Sequence, residues 1–374
     1  MTGIGPTLGG GTVASEVVGS IAPRPPAAPR PYRLTDLATS GPGLPRAFQG
    51  LGTRSVGAFL QRVATVGVEV LTAAAADLLR PQAGRILEIA PGRAPSRGGS
   101  VALYAHWSPD GRISRMVMRQ IAIWRENGFD VVFVSNASPP AEDWGAVAEQ
   151  TVLRIRRGNT GGDFGAWRDA AREALRTLPQ PRELLLSNDS VLGPFRPMEP
   201  IVAAWRDGGE GLFGLTESLA GGAHLQSYAL LARGEDAVGT VLTHLEGFRD
   251  SRSKWRIVQS GEIGLTRRFV ASGIRCAALF GYERVLTQVD AATRLSLGDR
   301  FAAPDSLRRH PLNPCHHLWR VLVERMAFPY IKTDLISRNP WNLADLDGWT
   351  DLVPLREQDL MVEHLRLMCG PDPR

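Results

Sequence analysis

From Val101 onward, short apolar runs alternate with segments of helical spacing, and this alternation narrows the architectures open to the chain. Val101 to His106, Asp130 to Ser135 with its Val131-Val132-Phe133-Val134 run, Thr151 to Ile155, and Leu184-Leu185-Leu186 read as strands. Between them, Ile113 to Asn127 sets Met116, Met118, Ile121, Ile123 and Trp124 at helical intervals, and Ala166 to Arg176 follows the third strand. Such alternation predicts an α/β fold: a mostly parallel sheet with helices on both faces and right-handed crossovers. Pro197 to Asp207 then reads as a helix, Gly211 to Thr216 and His224 to Leu231 as strands, and Trp255 to Ser272 as a helix.

Flanking segments differ in composition. Residues 1–50 hold eight of the 27 prolines and many glycines, which predicts a disordered tail because too little apolar surface is available to offset ordering. Within residues 51–100, Ser55 to Arg80 carries Phe59, Leu60, Val63, Val66, Val70 and Leu71 at helical spacing, a docking helix that packs on protein. Pro91 to Ser100 reads as a linker. Residues 101–300 form the α/β domain, and 301–374 a mixed, mostly helical extension.

The 43 basic residues exceed the 38 acidic ones modestly, and only Lys254 and Lys332 among them are lysine. No dense basic block, zinc-finger spacing or aromatic RNA-binding signature is present, so no nucleic-acid partner is expected. Three scattered cysteines fit a reducing compartment. The start lacks a secretory pattern and no run of about eighteen apolar residues occurs, which predicts a cytoplasmic protein, at most peripheral to a membrane or held in a complex.

Polar turns fall at the ends of the expected strands. The first is Gly-rich, Arg157-Gly158-Asn159-Thr160-Gly161-Gly162-Asp163-Phe164-Gly165-Ala166-Trp167; the others are Asn188-Asp189-Ser190 and Thr216-Glu217-Ser218. In a parallel sheet the carboxyl ends of the strands share one edge, so these groups can converge, with Glu262 added from a later helix. Asn159 and Asp163 have a competing role as caps of the following helix, and Glu262 as a helix N-terminal carboxylate. Trp107, Trp167 and Tyr228, near strand ends, suit stacking on an apolar ligand face, whereas Trp319 and Trp341 read as core.

Taken in order, Asn-x-Gly-x-Asp-x-Gly, Asn-Asp-Ser-x-x-Gly-Pro-Phe, Phe-Gly-Leu-Thr-Glu-Ser, His-Leu-Gln-Ser-Tyr and Gly-Glu-x-Gly-Leu-Thr-x-Arg resemble the rhamnan synthesis protein F family. Asn313-Pro314-x-His316-x-x-Trp319, Pro329-Tyr330-Ile331-Lys332 and Asn339-Pro340 extend the resemblance, which covers about Val101 to Asn342. It implies a GT-A-like, nucleotide-sugar-binding α/β domain in a polysaccharide-biosynthesis glycosyltransferase. The reaction implied is transfer of a sugar, rhamnose by analogy, from a nucleoside diphosphate donor to a growing cell-surface glycan or lipid-linked glycan. Asn159, Gly161, Asp163, Asn188, Asp189 and Ser190 would contact the donor, and Thr216, His224 and Trp107 the acceptor. Glu262 is the candidate base, with Glu217 competing. Relatives use an Asp-x-Asp turn for a divalent cation; here the turn offers Asp189 alone, so either Mg²⁺ or Mn²⁺ on Asp189 or arginines such as Arg157, Arg168 and Arg267 would neutralise the leaving phosphates. A non-catalytic nucleotide-sugar-binding or glycan-binding subunit of a synthesis complex is the alternative.

Overall fold

A computed structural model describes residues 32–37, 64, 67–68, 71–73, 85–219 and 222–369, all within the unit Pro31–Arg374. Most of the proposed tail and docking helix lies outside these residues. Two parts of the flanking segments join the sheet instead of serving as tail or linker: strand β1 (Thr35–Asp36) and strand β2 (Ile86–Pro91). Next come β3 (Ser100–His106), β4 (Asp130–Ser135), β5 (Leu153–Arg157), β6 (Glu183–Asn188) and the short β7 (Val191–Leu192). After these follow β8 (Gly211–Ser218), β9 (His224–Leu225), β10 (Ala229–Arg233), β11 (Cys276–Phe280) and β12 (Ile331–Lys332).

The main sheet runs β1-β11-β8-β10-β6-β3-β4-β5-β2, with β9 paired to β8. Strands β11, β8, β6, β3, β4 and β5 point the same way; β10 lies antiparallel between β8 and β6, and β1 and β2 are antiparallel edges. The expected α/β class with a mostly parallel sheet and helices on both faces is therefore observed. The stretch read as one strand from His224 to Leu231 is broken: β9 and β10 are separate, and the turn between them carries Gln226 and Ser227.

Alternation along each strand splits the core into two layers. Ala102 and Tyr104 of β3 pack on one face with Met116, Val117, Ile121 and Trp124 of the helix Arg115–Glu126. Val101, Leu103 and Ala105 pack on the other with Phe164, Trp167 and Ala170 of the helix Gly162–Thr177. The first helix starts at Ser114, whose side chain accepts the Val117 N–H, satisfying a donor that the helix leaves open. Much of the C-terminal region, including Leu318, Trp319, Leu335 and Leu365, covers the first layer.

Chain order creates a switch point. From β3 the chain steps outward to β4 and β5, then the helix Gly162–Thr177 carries it back to β6 on the opposite side of β3. The connections on either side of β3 thus leave in opposite directions, and a crevice opens at the carboxyl ends of β3 and β6. No helix among the described residues is long and apolar enough to cross a membrane.

Candidate functional site

A cleft of about 470 Å³ lies at this crevice, a size within the roughly 300–1,000 Å³ of small-molecule sites. Trp107 follows β3, Asn136 follows β4, Asn159 and Asp163 follow β5, Asn188 ends β6, and Asp189 and Ser190 come after it; all line the cleft. The opposite side comes from the segment Lys254 to Glu262 and from Asn313, His316, Lys332, Asp334 and Arg338 of the C-terminal region.

Along the floor the polar groups form a chain. Asn188 Nδ2 donates to Asp163 Oδ2 at 2.6 Å, and its Oδ1 accepts from Ser190 Oγ at 2.7 Å. Lys332 Nζ donates to Ser190 Oγ at 3.2 Å and sits 4.4 Å from the centre of the Tyr228 ring. Pairing of β12 with β7 brings Lys332 here, and Thr333 N–H fastens the turn by donating to Ser190 O at 3.1 Å. Burial raises the Asp163 carboxyl above its ordinary value, although Lys332 and the Asn188 hydrogen bond oppose the shift.

Asp189 is buried, and its Oδ2 accepts the Trp107 N–H at 2.9 Å across the switch point. Burial pushes its carboxyl up to about 8, with the Trp107 hydrogen bond opposing and the nearby Asp163 charge reinforcing the rise. Its charged form is thus disfavoured where it sits. Among the described residues no three His, Cys, Asp or Glu side chains converge on a point. The donor turn thus offers a cation one carboxyl, whose charged form burial disfavours.

Glu262 lies within a π-helical turn, Val258–Ile263, flanked by the α-helices Lys254–Ile257 and Gly264–Ala271. Such insertions recur at functional sites because they rotate one side chain off the regular helical path. The turn packs closely: a Cβ on Gly261 would come within 2.6 Å of the Phe164 ring. Glu262 Oε2 accepts the Ser227 N–H at 3.0 Å and the Ser227 hydroxyl at 2.7 Å, and Oε1 faces His224 Nε2 at 3.2 Å. His224 Nδ1 is 2.7 Å from Gly222 O, while its buried Nε2 lies near Glu262 without hydrogen-bond geometry. Glu262 is thus in mid-helix, not at the helix N-terminus.

Other expected groups lie elsewhere. Glu217 is buried at the end of β8, where Oε2 accepts the Tyr282 N–H at 2.9 Å and caps the helix Tyr282–Leu286; it does not line the cleft. Thr216 is fully buried, bonded to Gln226 at 2.8 Å and Tyr228 at 2.6 Å, and His224 is buried behind Glu262. Neither can meet an acceptor directly. Trp107 lines the cleft, whereas Trp167 and Tyr228 are core; Trp341, expected in the core, is 47% exposed and tilted over the His317 ring.

The Gly-rich turn does a different job from the one its composition suggests. Arg157 is buried and donates to Asp169 at 2.9 Å and to Asn136 at 2.6 Å. Arg168 donates to Asp169 at 2.8 Å and to Asp250 at 2.7 Å, and Asp250 also pairs with Arg85 and accepts from Thr160 Oγ1 at 2.8 Å. Both arginines are consumed by this network, so neither neutralises a ligand phosphate, and Arg267 does not line the cleft. Gly161, at φ +74°, is required because a Cβ there would lie 2.5 Å from Asp250 Oδ1; it faces the network and not the cleft. Its neighbour Gly162, with Asn159 and Asp163, presents the turn to the cleft.

Lys254, Lys332, Asp334 and Arg338 were not among the residues expected in the site. His316 Nε2 meets Asp334 Oδ1 at 3.1 Å. Burial would raise the Asp334 carboxyl, but His316, Lys332 and Lys254 together hold it well below the usual carboxylate range. One signal was available: the two lysines stand out in a chain that otherwise uses arginine.

No family model matches this chain. An uncharacterized protein, y4gN of Sinorhizobium fredii (strain NBRC 101917 / NGR234), is 27% identical over 204 residues. That match covers 53% of this chain and 52% of the relative, so the chain spans about half the length of the curated relative it matches.

Proposed function

We propose that this protein is a glycosyltransferase on a GT-A-like variant of the α/β fold, using a nucleoside diphosphate sugar and a glycan or lipid-linked glycan acceptor. The observation that carries the reading is Glu262, a carboxylate oriented by two Ser227 hydrogen bonds on the wall of a cation-lined cleft at the switch point. Glu262 takes the proton of the acceptor hydroxyl as that oxygen bonds to the anomeric carbon. The bond from that carbon to the diphosphate oxygen breaks, and the diphosphate leaves with the electron pair. Asp163, Asn188 and Ser190 position the donor, and Trp107 offers an apolar ring to a sugar face. His224 acts through Glu262 as a positioning residue. Rhamnose as the sugar and a cell-surface polysaccharide as the destination rest on the motif resemblance alone.

A second reading is a nucleotide-sugar-binding subunit without turnover, favoured by the protonated Asp189 in the donor turn. A panel of nucleotide sugars, assayed for hydrolysis and for transfer with and without Mg²⁺ or Mn²⁺, separates the two. Turnover that disappears in Glu262→Gln, with ligand binding retained, supports the enzyme. Binding with no turnover under any condition supports the subunit.

A further inference from the structure

Both lysines of this chain line the same cleft, although they come from separate elements, the helix Lys254–Ile257 and strand β12. Lysine differs from arginine as a compact, rotatable point charge without a planar fork, so its use at these two positions in an arginine-rich chain is chemically selective. Arg338 adds a third cation from the helix Thr333–Arg338.

These cations are not tied into close ion pairs as other arginines of the fold are. Arg157 and Arg168 are tied to Asp169 and Asp250, and Arg206 and Arg233 to Glu183. By contrast, among the described residues none of Lys254, Lys332 and Arg338 makes an ion pair. Lys332 is held by the Ser190 hydroxyl and the Tyr228 ring, and at longer range its charge acts on Asp163 and Asp334. The carboxylates of the cleft have partners of their own: Asp163 has Asn188, Asp334 has His316, and Glu262 has Ser227 and His224. Lys254 acts on the same two carboxyls, Asp163 and Asp334, and both ammonium groups line the one cleft.

We propose that Lys254, Lys332 and Arg338 form a diphosphate-binding site that holds its anion without a divalent cation. The proposal rests on the transferase reading for the identity of the ligand, the diphosphate of the donor, but not for the existence of the anion site. Burial of Asp189 in its protonated form is consistent with it, since that removes a negative charge from beside the anion. In the transfer step the three cations would take up the charge that develops on the leaving diphosphate oxygen.

Calorimetric titration of the full chain with inorganic pyrophosphate in EDTA tests the site. Binding is expected without added metal, and Lys254→Gln and Lys332→Gln should each weaken it by at least about tenfold, the scale of one charge-assisted hydrogen bond. Lys254 is exposed, so its variant reports on charge without risk to the fold. Arg119→Gln, an exposed cation outside the cleft, should bind as the parent does. Pyrophosphate that binds only with Mg²⁺ present, or equally well to both lysine variants, overturns the proposal. dTDP or UDP should bind more tightly than geranyl diphosphate; the reverse order overturns the assignment to the donor. The two readings fail separately. Lysine-dependent pyrophosphate binding with no turnover of any nucleotide sugar rejects the transferase and keeps the site. Transfer that requires Mg²⁺ and survives both substitutions rejects the site and keeps the transferase.

Discussion

Asp250→Asn is the most exacting test of how the first turn is held. In the folded chain Asp250 is buried and carries Arg168 at 2.7 Å, the Thr160 hydroxyl at 2.8 Å, Arg157 at 3.6 Å and Arg85. Without its charge, Arg157 and Arg168 share Asp169 alone, and Arg85 loses this carboxylate. Removing one partner from a buried ionic network costs about 3–5 kcal/mol, and the amide oxygen retained by Asn places this substitution near the lower figure. At roughly 2 °C per kcal/mol for a chain of this size, a loss of about 3 kcal/mol lowers the melting temperature by about 6 °C. Thermal and urea unfolding of the full chain measure the loss. Because Asp250 and Arg168 act on each other, the double variant Asp250→Asn/Arg168→Gln should lose less than the sum of the single ones. A loss under about 1 kcal/mol, or strict additivity, would show that the network does not hold the turn. The same variant should weaken ligand binding, since Asn159 and Asp163 reach the cleft from the turn that Asp250 anchors.

Further outcomes follow from single positions. Gly161→Ala adds a contact with Asp250 Oδ1 to its backbone strain, whereas Gly98→Ala, at nearly the same φ of +75° but with open space around it, adds strain alone. Strain costs about 1–2 kcal/mol, so the urea midpoint should fall further for Gly161→Ala, and equal midpoints would remove the packing argument. Asp189 binds its proton more tightly folded than unfolded, so its contribution to stability is complete below about pH 4 and is lost as pH rises towards 8. Asp189→Asn should therefore gain stability over the parent at pH 8 relative to pH 5 in urea titrations; an unchanged difference between the two pH values would contradict a buried, protonated Asp189. Glu217→Gln and Glu262→Gln should divide on turnover: each loses about 1–3 kcal/mol of stability, the first with kcat retained and the second with kcat lost. Loss of kcat in Glu217→Gln at full ligand binding would return the role of base to Glu217.

Much of the scaffold was legible because its signals are local. Apolar runs and helical spacing depend on neighbours a few residues apart, so the core strands from Val101 to Asn188 were recognisable to within about two residues at most ends. Pairing depends on residues distant in sequence. Nothing local indicates that β10 enters antiparallel between β8 and β6, or that Ile86–Pro91 pairs with β5.

For the site, the strand-end rule places a residue at the right height along the sheet but does not set which way its side chain points. Asn159, Asp163, Asn188, Asp189, Ser190, Trp107 and Glu262 all line the cleft, while Thr216, Glu217 and His224, at equivalent heights, turn inward. Gly161 is needed for its φ and its clearance from Asp250, a requirement visible only when Asp250, some ninety residues later, is packed against it. The amino-acid order by itself determined a mostly parallel α/β sheet, the polar turns along one edge and the rarity of lysine. Tertiary structure alone decided which groups face the cleft, because the C-terminal region folds back to deliver Lys332, Asp334 and Arg338, and burial decides that Asp189 is protonated. Side-chain direction and solvent exclusion arise from contacts between distant segments, and no periodicity within a short window of sequence encodes them.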